Sequence, residues 1–251
     1  TIVTLLVSAS LYQAQKSSVV VKTASSQMLE ESAKLRLQAR AQSQALLVQR
    51  HFMDAYQYAN GFSRQVLFLR EQAEKRFIDA FDLREDMTQQ IRNALSNNPE
   101  LLGLYVVFEP NALDGKDELF IDQAAIGSND KGRFSLYWSQ AKPGQLDAEP
   151  MSEKNLADTS IGASGAPYNA WYTCPRNQAA ACVLEPYFDE VAGKQVLMTS
   201  IAFPLLSAGK VIGVMGVDIS LDSLQQLSLS AQQELYNGAG HVNIISSAGL
   251  L

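Results

Sequence analysis

No glycine or proline interrupts Thr1 to Asn60, and the first proline of the chain is Pro99. The residues that break helices are therefore absent over an unusually long reach. Residues 24–60 are rich in Ala, Gln, Leu, Glu and Arg, which are all good helix formers. Met28, Leu35, Leu46, Met53 and Tyr56 recur at roughly helical spacing. The pattern predicts one long stalk helix over residues 13–72, running on past Gly61. Its apolar stripe suits pairing with a second copy, or covering a sheet. The strand-rich remainder argues against an all-helical bundle.

The first twelve residues, TIVTLLVSASLY, are uncharged and mostly apolar. They fall short of the ~20 residues that span a bilayer. They read either as a buried helix end or as the trailing end of a transmembrane helix. The abrupt polarity of Gln13 to Lys16 favours the second, so residues 1–12 are expected to be such an end. The chain closes on SSAGLL just after a strand-like HVNIIS, and is expected to continue.

Beyond the stalk, Asp82 to Asn97 reads as a helix, with Asp82 as N-cap and Glu85 three residues on. LLGLYVVFEP, ELFID and RFSLYWSQ read as strands. Residues 142–166, rich in Gly, Pro, Ser and Asp, read as a long loop with some helix around Pro150 to Leu156. Such loops are often functional. VLEPYFDEV, KQVLMTSIAFPLL and VIGVMGVDIS form successive hairpins. A helix capped by Ser220 follows and ends at Asn237-Gly238. Elements in this order make an α+β chain: the long helix, then an antiparallel sheet of about five strands.

Composition excludes several classes. A net charge of −6 speaks against nucleic acid, which needs a basic face. There is no P-loop, GxSxG or HExxH, and GVMGVD misses the dinucleotide fingerprint. His51 and His241 have no metal-ligand partner in sequence. No metal site, no cofactor and no catalytic set is expected. Cys174 and Cys182 flank a short loop. In an oxidising compartment they close a disulfide across a hairpin; in cytosol they would not.

The stretch 165–218 gathers Tyr168, Trp171, Tyr172 and Tyr187 with Glu185, Asp189, Glu190 and Asp218. Large rings also fill ordinary cores. Carboxylates among them are rarely buried unpaired, and aromatic faces attract cations. The mixture points to a cage for a small organic cation. Tyr137 and Trp138 are neighbours on a strand and point to opposite faces; Trp138 is taken as the pocket residue. Candidate ligand-binding residues are Trp138, Tyr168, Trp171, Tyr172, Glu185, Tyr187, Asp189 and Asp218.

The run Trp171-Tyr172, Glu185-Pro186-Tyr187-Phe188-Asp189, Gly193-Lys194 and Gly216-Val217-Asp218-Ile219-Ser220-Leu221 resembles the ligand-binding module of double Cache domains, the extracytoplasmic sensors of bacterial chemoreceptors. The resemblance covers roughly residues 20–251. It implies a PAS-like, membrane-distal module over residues 73–237 and the start of a smaller membrane-proximal module over residues 238–251. It also implies a receptor in the bacterial inner membrane, with this part in the periplasm. Flanking transmembrane helices, a homodimer through the long helix and a cytoplasmic chemotaxis kinase complex come with that implication. In amino-acid sensors of the family, an arginine two positions before the Trp-Tyr pair holds the ligand carboxylate, and an acid on the Gly-x-Asp strand holds the ammonium. Asp218 matches the acid. The arginine position is Asn169, which has no bidentate cationic grip. The implied ligand is thus an amine without a carboxylate: a biogenic amine, a polyamine or a quaternary amine. Arg133 or Arg176 is the candidate substitute if the ligand is an amino acid. Other readings of the chain are a kinase or cyclase sensor, a solute-binding module of a transporter, and a hydrolase.

Overall fold

The computed structural model describes residues 2–162, 164–191, 193–235, 240–246 and 249. Helix α1 runs unbroken from Ile2 to Arg76. Two units divide the chain, residues 1–50 and residues 51–251. In the first, Val21, Met28, Leu35 and Leu46 are exposed. No described helix is long and apolar enough to cross a membrane.

In the second unit, α1 ends and α2 (Ala80–Ser96) begins after a tight turn at Phe77, whose φ is +55°. The α2 cap is Asp79, whose side chain accepts from the Phe81 amide at 2.8 Å. Asp82, expected as the cap, lies inside the first turn. Either acid suits that end of a helix; Asp79 is the one with extended backbone.

The sheet is antiparallel and larger than expected, with seven strands in the order β3-β2-β1-β7-β6-β4 and β5 paired to β6. The strands are β1 (Gly103–Phe108), β2 (Ser135–Lys142), β3 (Gln145–Pro150), β4 (Cys182–Val183), β5 (Tyr187–Val191), β6 (Lys194–Ser207) and β7 (Lys210–Ser220). Strand β3 was hidden in the segment read as loop. Its side chains are mostly exposed, so an edge strand of this kind lacks the apolar alternation by which strands are recognised.

ELFID is not a strand. Asp117 to Leu119 form a 3-10 turn. The cause is Arg84, fully buried on α2, which grips Asp114 at 2.7 Å and Asp117 at 2.8 Å and stacks on Phe120. Burying that guanidinium demands carboxylate partners, and the turn delivers them. HVNIIS likewise forms no sheet pairing among the described residues; a strand exists only where another donates and accepts its backbone bonds.

Two faces of the sheet are covered differently. On one, Leu104, Val106, Leu136, Val217 and Ile201 pack against Ala59, Phe62 and Val66 of α1 and Met87, Ile91 and Leu95 of α2. On the other, Tyr105, Val107, Ala202 and Val214 pack against Met151, Leu156, Trp171 and Tyr172. The last four come from α3 (Glu153–Leu156), the residue before it but one, and α4 (Ala170–Gln178). Trp171 and Tyr172 thus sit on a helix. Cys174 on α4 is disulfide-bonded to Cys182 on β4, so the bond ties helix to strand and not the two arms of a hairpin. Helix α5 (Asp222–Glu234) follows β7; its N-cap is Leu221, one residue beyond the expected Ser220, whose hydroxyl still accepts from the Asp222 amide. Its expected end at Asn237-Gly238 lies outside the described residues.

Candidate functional site

On the α4 side of the sheet lies a cavity of ≈ 50 Å³, walled by Tyr105, Tyr137, Glu149, Met151, Asn155, Tyr168, Trp171, Tyr187, Asp189, Glu190 and Asp218. This exceeds the ~10–15 Å³ that one water needs. Among the described residues its lining holds four carboxylates and five aromatic side chains, and no Lys, Arg or His.

Register builds the floor. Gly103 pairs with Asp218 across β1 and β7, and Ser200 pairs with Asp218 across β6 and β7. Tyr105 pairs with Gly216 on one side and with Tyr137 on the other. Partners across a ladder share a face, so these side chains converge. Two glycines make room for the tyrosines. A Cβ on Gly216 would meet the Tyr105 ring at 2.3 Å, and one on Gly103 would meet the Tyr137 ring at 2.4 Å. Both rings therefore lie flat along the sheet beside Asp218.

Asp218 is 3% exposed. Ser200 donates to its carboxylate at 2.5 Å, and Tyr137 lines the cavity with it. Ser200 has one proton to give, so the 2.6 Å contact between Tyr187 and Ser200 is donated by Tyr187. The Tyr105 hydroxyl reaches the Trp171 carbonyl at 3.3 Å, and its ring meets the indole edge-on at 4.9 Å. Burial pushes the Asp218 carboxyl up to about 7, against the pull of Ser200 and Tyr137, with Asp189 adding to the rise. Burial, followed by the charge of Asp218, holds Tyr105, Tyr137 and Tyr187 well above the usual phenol range.

The mouth is also acidic. Tyr168 donates to Asp189 at 2.9 Å. Asp189 is raised by burial and by Glu190, and Glu149 by burial and then by Asp147, Asp189 and Glu190. A second cavity of ≈ 90 Å³ shares the Tyr168 and Tyr187 walls and includes Glu185 and Phe188.

Residues 87–226 match the family described as methyl-accepting chemotaxis protein-like, first PDC sensor domain. The chain belongs to this family. The sensor domain is 68% identical over 249 residues to methyl-accepting chemotaxis protein TlpQ of Pseudomonas aeruginosa, covering 99% of this chain and 35% of that protein. It thus spans about a third of that relative's length. Among solved structures, the extracellular domain of a protein designated histidine kinase mmHK1S-Z2 is 27% identical, with a TM-score of 0.51 over 74% of this chain and 65% of that one. The ligand-binding domain of Campylobacter jejuni chemoreceptor Tlp3, in complex with 4-methylisoleucine, superposes with a TM-score of 0.51 at 16% identity, over 79% of this chain and 63% of that one. That likeness concerns the fold: a long N-terminal helix and an antiparallel sheet.

Within the sensor domain, the residues singled out in sequence fall into three places. Tyr168, Trp171, Tyr187, Asp189 and Asp218 line the cavity together. Glu185 lines the neighbouring one. Trp138 and Tyr172 line neither. Trp138 pairs with Leu104 and faces α2, where Arg92 lies 5.9 Å from its ring. The strand alternates, and Tyr137 takes the cavity side. Tyr172 is turned about 100° from Trp171 on α4. Its hydroxyl meets Glu109 and Arg133 at 2.5 Å each.

Tyr105, Glu149, Asn155 and Ser200 escaped sequence reasoning. Tyr105 and Ser200 are placed by register, which no local pattern states. Glu149 sits on the unrecognised edge strand. Asn169 is buried and donates to the Leu156 carbonyl at 2.9 Å. Arg133 and Arg176 are bound up with Glu109, Glu153 and Tyr172, and neither lines the cavity.

Proposed function

We propose that this chain is the periplasmic ligand-binding part of a transmembrane chemoreceptor, and that the cavity at Asp218 receives a small amine without a carboxylate. One observation carries the reading: the cavity is lined by acids and aromatic rings with no basic side chain among them. Buried carboxylates call for a positive partner, and the rings favour the same charge. The ammonium would lie between Asp218 and Asp189, with Trp171 and Tyr105 beside its alkyl or aryl part. The domain acts by binding and performs no reaction.

An α-amino acid is the second reading, supported by the 4-methylisoleucine bound to Tlp3. It requires a cation for the carboxylate. Asn169 holds a backbone carbonyl, while Arg133 and Arg176 are engaged by Glu109 and Glu153. The amine reading is preferred on that account.

In the whole receptor, residues 1–12 would be the end of a membrane helix. Residues 13–72 would be the stalk, and residues 238–251 would open the membrane-proximal module. Two copies would pair through α1, and a cytoplasmic kinase complex would receive the output. Residues 55–73 of α1 supply the core on the reverse face of the sheet that forms the cavity floor, a direct route for a shift of β7 to reach the helix.

A thermal-shift screen of amines against amino acids tests the ligand. A ligand that prefers the folded state raises the melting temperature. Amines should stabilise the chain, and Asp218→Asn should abolish the effect. Stabilisation by amino acids alone would refute the amine assignment.

A further inference from the structure

Among the described residues, Asp218 is a carboxylate placed where a negative charge has no positive neighbour. Every element packed around it contributes neutral or acidic groups. Strand β1 offers Tyr105 and β2 offers Tyr137, while β6 offers Ser200. Strand β3 offers Glu149, the loop before α4 offers Tyr168, and β5 offers Tyr187, Asp189 and Glu190. The phenols stay neutral at all physiological pH, since burial raises those of Tyr105, Tyr137 and Tyr187. A buried carboxylate in such surroundings either finds a cation or takes up a proton.

We propose that the empty sensor carries a proton on Asp218 and that a cationic ligand drives it off. The proposal rests on the amine reading and adds a proton to it. The exchange balances: a neutral carboxyl and an incoming ammonium become a carboxylate–ammonium pair, and the proton leaves to solvent. Ser200 holds the carboxyl group in place throughout, because it donates to it. Tyr168 and the Glu190 amide similarly occupy Asp189. Asp189 is only half-buried whereas Asp218 is 3% exposed, so the inner acid is the one whose charge most needs a cation or a proton.

The consequence is that the sensor weighs amine against acidity. Below the midpoint of the Asp218 titration, affinity for a permanently charged ligand should fall about tenfold per pH unit, and above it affinity should level off. The burial of Asp218 puts that midpoint near 7, inside the range a bacterium meets outside its cytoplasm.

Carbon-13 NMR of the side-chain carboxyls of the 251-residue chain tests this, with butylamine and benzylamine as probes and Asp218→Asn to assign the resonance. The two tryptophans give an internal control: the Trp171 indole lines the cavity, and Trp138 lies on the opposite face. In the empty protein the Asp218 resonance should titrate near neutrality, while exposed aspartates titrate at about 4. With either amine saturating, its midpoint should drop by more than one unit, and the Trp171 signal alone should move. A midpoint in the ordinary carboxylate range without amine overturns the proposal. So does amine binding, seen at Trp171, that leaves the Asp218 midpoint in place. If neither amine moves Trp171, the amine reading fails and the exchange with it, although the empty-state titration still reads the proton on Asp218.

Discussion

Ser200 stands directly across the β6–β7 ladder from Asp218 and donates its hydroxyl proton to the carboxylate at 2.5 Å. Ser200 is wholly buried, and Tyr187 contacts it from the other side at 2.6 Å. The pair sets how readily the buried acid ionises. Ser200→Ala removes a donor to the charged form and orphans the Tyr187 hydroxyl. A hydrogen bond to a charged group contributes about 1.5–3 kcal/mol, so amine affinity should fall by roughly tenfold to a hundredfold. Calorimetric titration checks this; unchanged affinity would remove Ser200 from the site.

Stability should depend on pH through Asp218. Its folded value, about 7 against an ordinary 3.8, means that the folded chain holds a proton the unfolded chain has released between those limits. The folded state is therefore favoured at low pH, loses ground as pH rises through that window, and levels off above 7. The full loss is on the order of 4 kcal/mol. Urea denaturation of the empty protein at pH 5 and pH 8 should show a smaller difference in Asp218→Asn than in the parent. Equal differences in the two proteins would contradict the assignment.

Tyr137 and Trp138 give a paired test of the two faces. Tyr137→Phe removes a phenol hydroxyl from the cavity that holds Asp218 and should weaken amine binding with a small change in stability. Trp138→Phe should change stability by about 1–2 kcal/mol through lost packing and leave binding within about twofold. A thermal melt and a titration on each variant separate the outcomes. The reverse pattern would place the cavity on the wrong side of the sheet.

Gly216→Ala should push the Tyr105 ring out of its bed, because the new Cβ would lie 2.3 Å from it. Overpacking of this kind costs about 1–3 kcal/mol, and amine binding should weaken with it. Combining Gly216→Ala with Tyr105→Ala should be less damaging than the sum of the two changes, since the clash is then gone. Strict additivity in denaturation midpoints would argue that the ring does not depend on the glycine.

Much of this protein was legible along the chain. The helix from Ile2 to Arg76 follows from good helix formers without proline, and Gly61 is tolerated because it is exposed. The β5–β6–β7 hairpins follow from runs of aromatic and β-branched residues separated by turns around Gly193 and Gly209. Four of the chemical players, Tyr168, Trp171, Tyr187 and Asp189, lie within one short stretch whose composition already paired rings with acids.

What the tertiary structure decided was side and partner. The sequence favoured Trp138 over its neighbour Tyr137, and only the pairing of Tyr105 with Tyr137 put the phenol beside Asp218. Arg84, buried on α2, drew Asp114 and Asp117 into a turn that strand propensity would have straightened. Glu149 joined the cavity through an edge strand whose exposed side chains carry no periodic signal. Local composition dictates which elements form, because backbone preference and burial are short-range. Which face a residue shows depends on register with strands far away in sequence, and a shift of one residue there reverses every side chain.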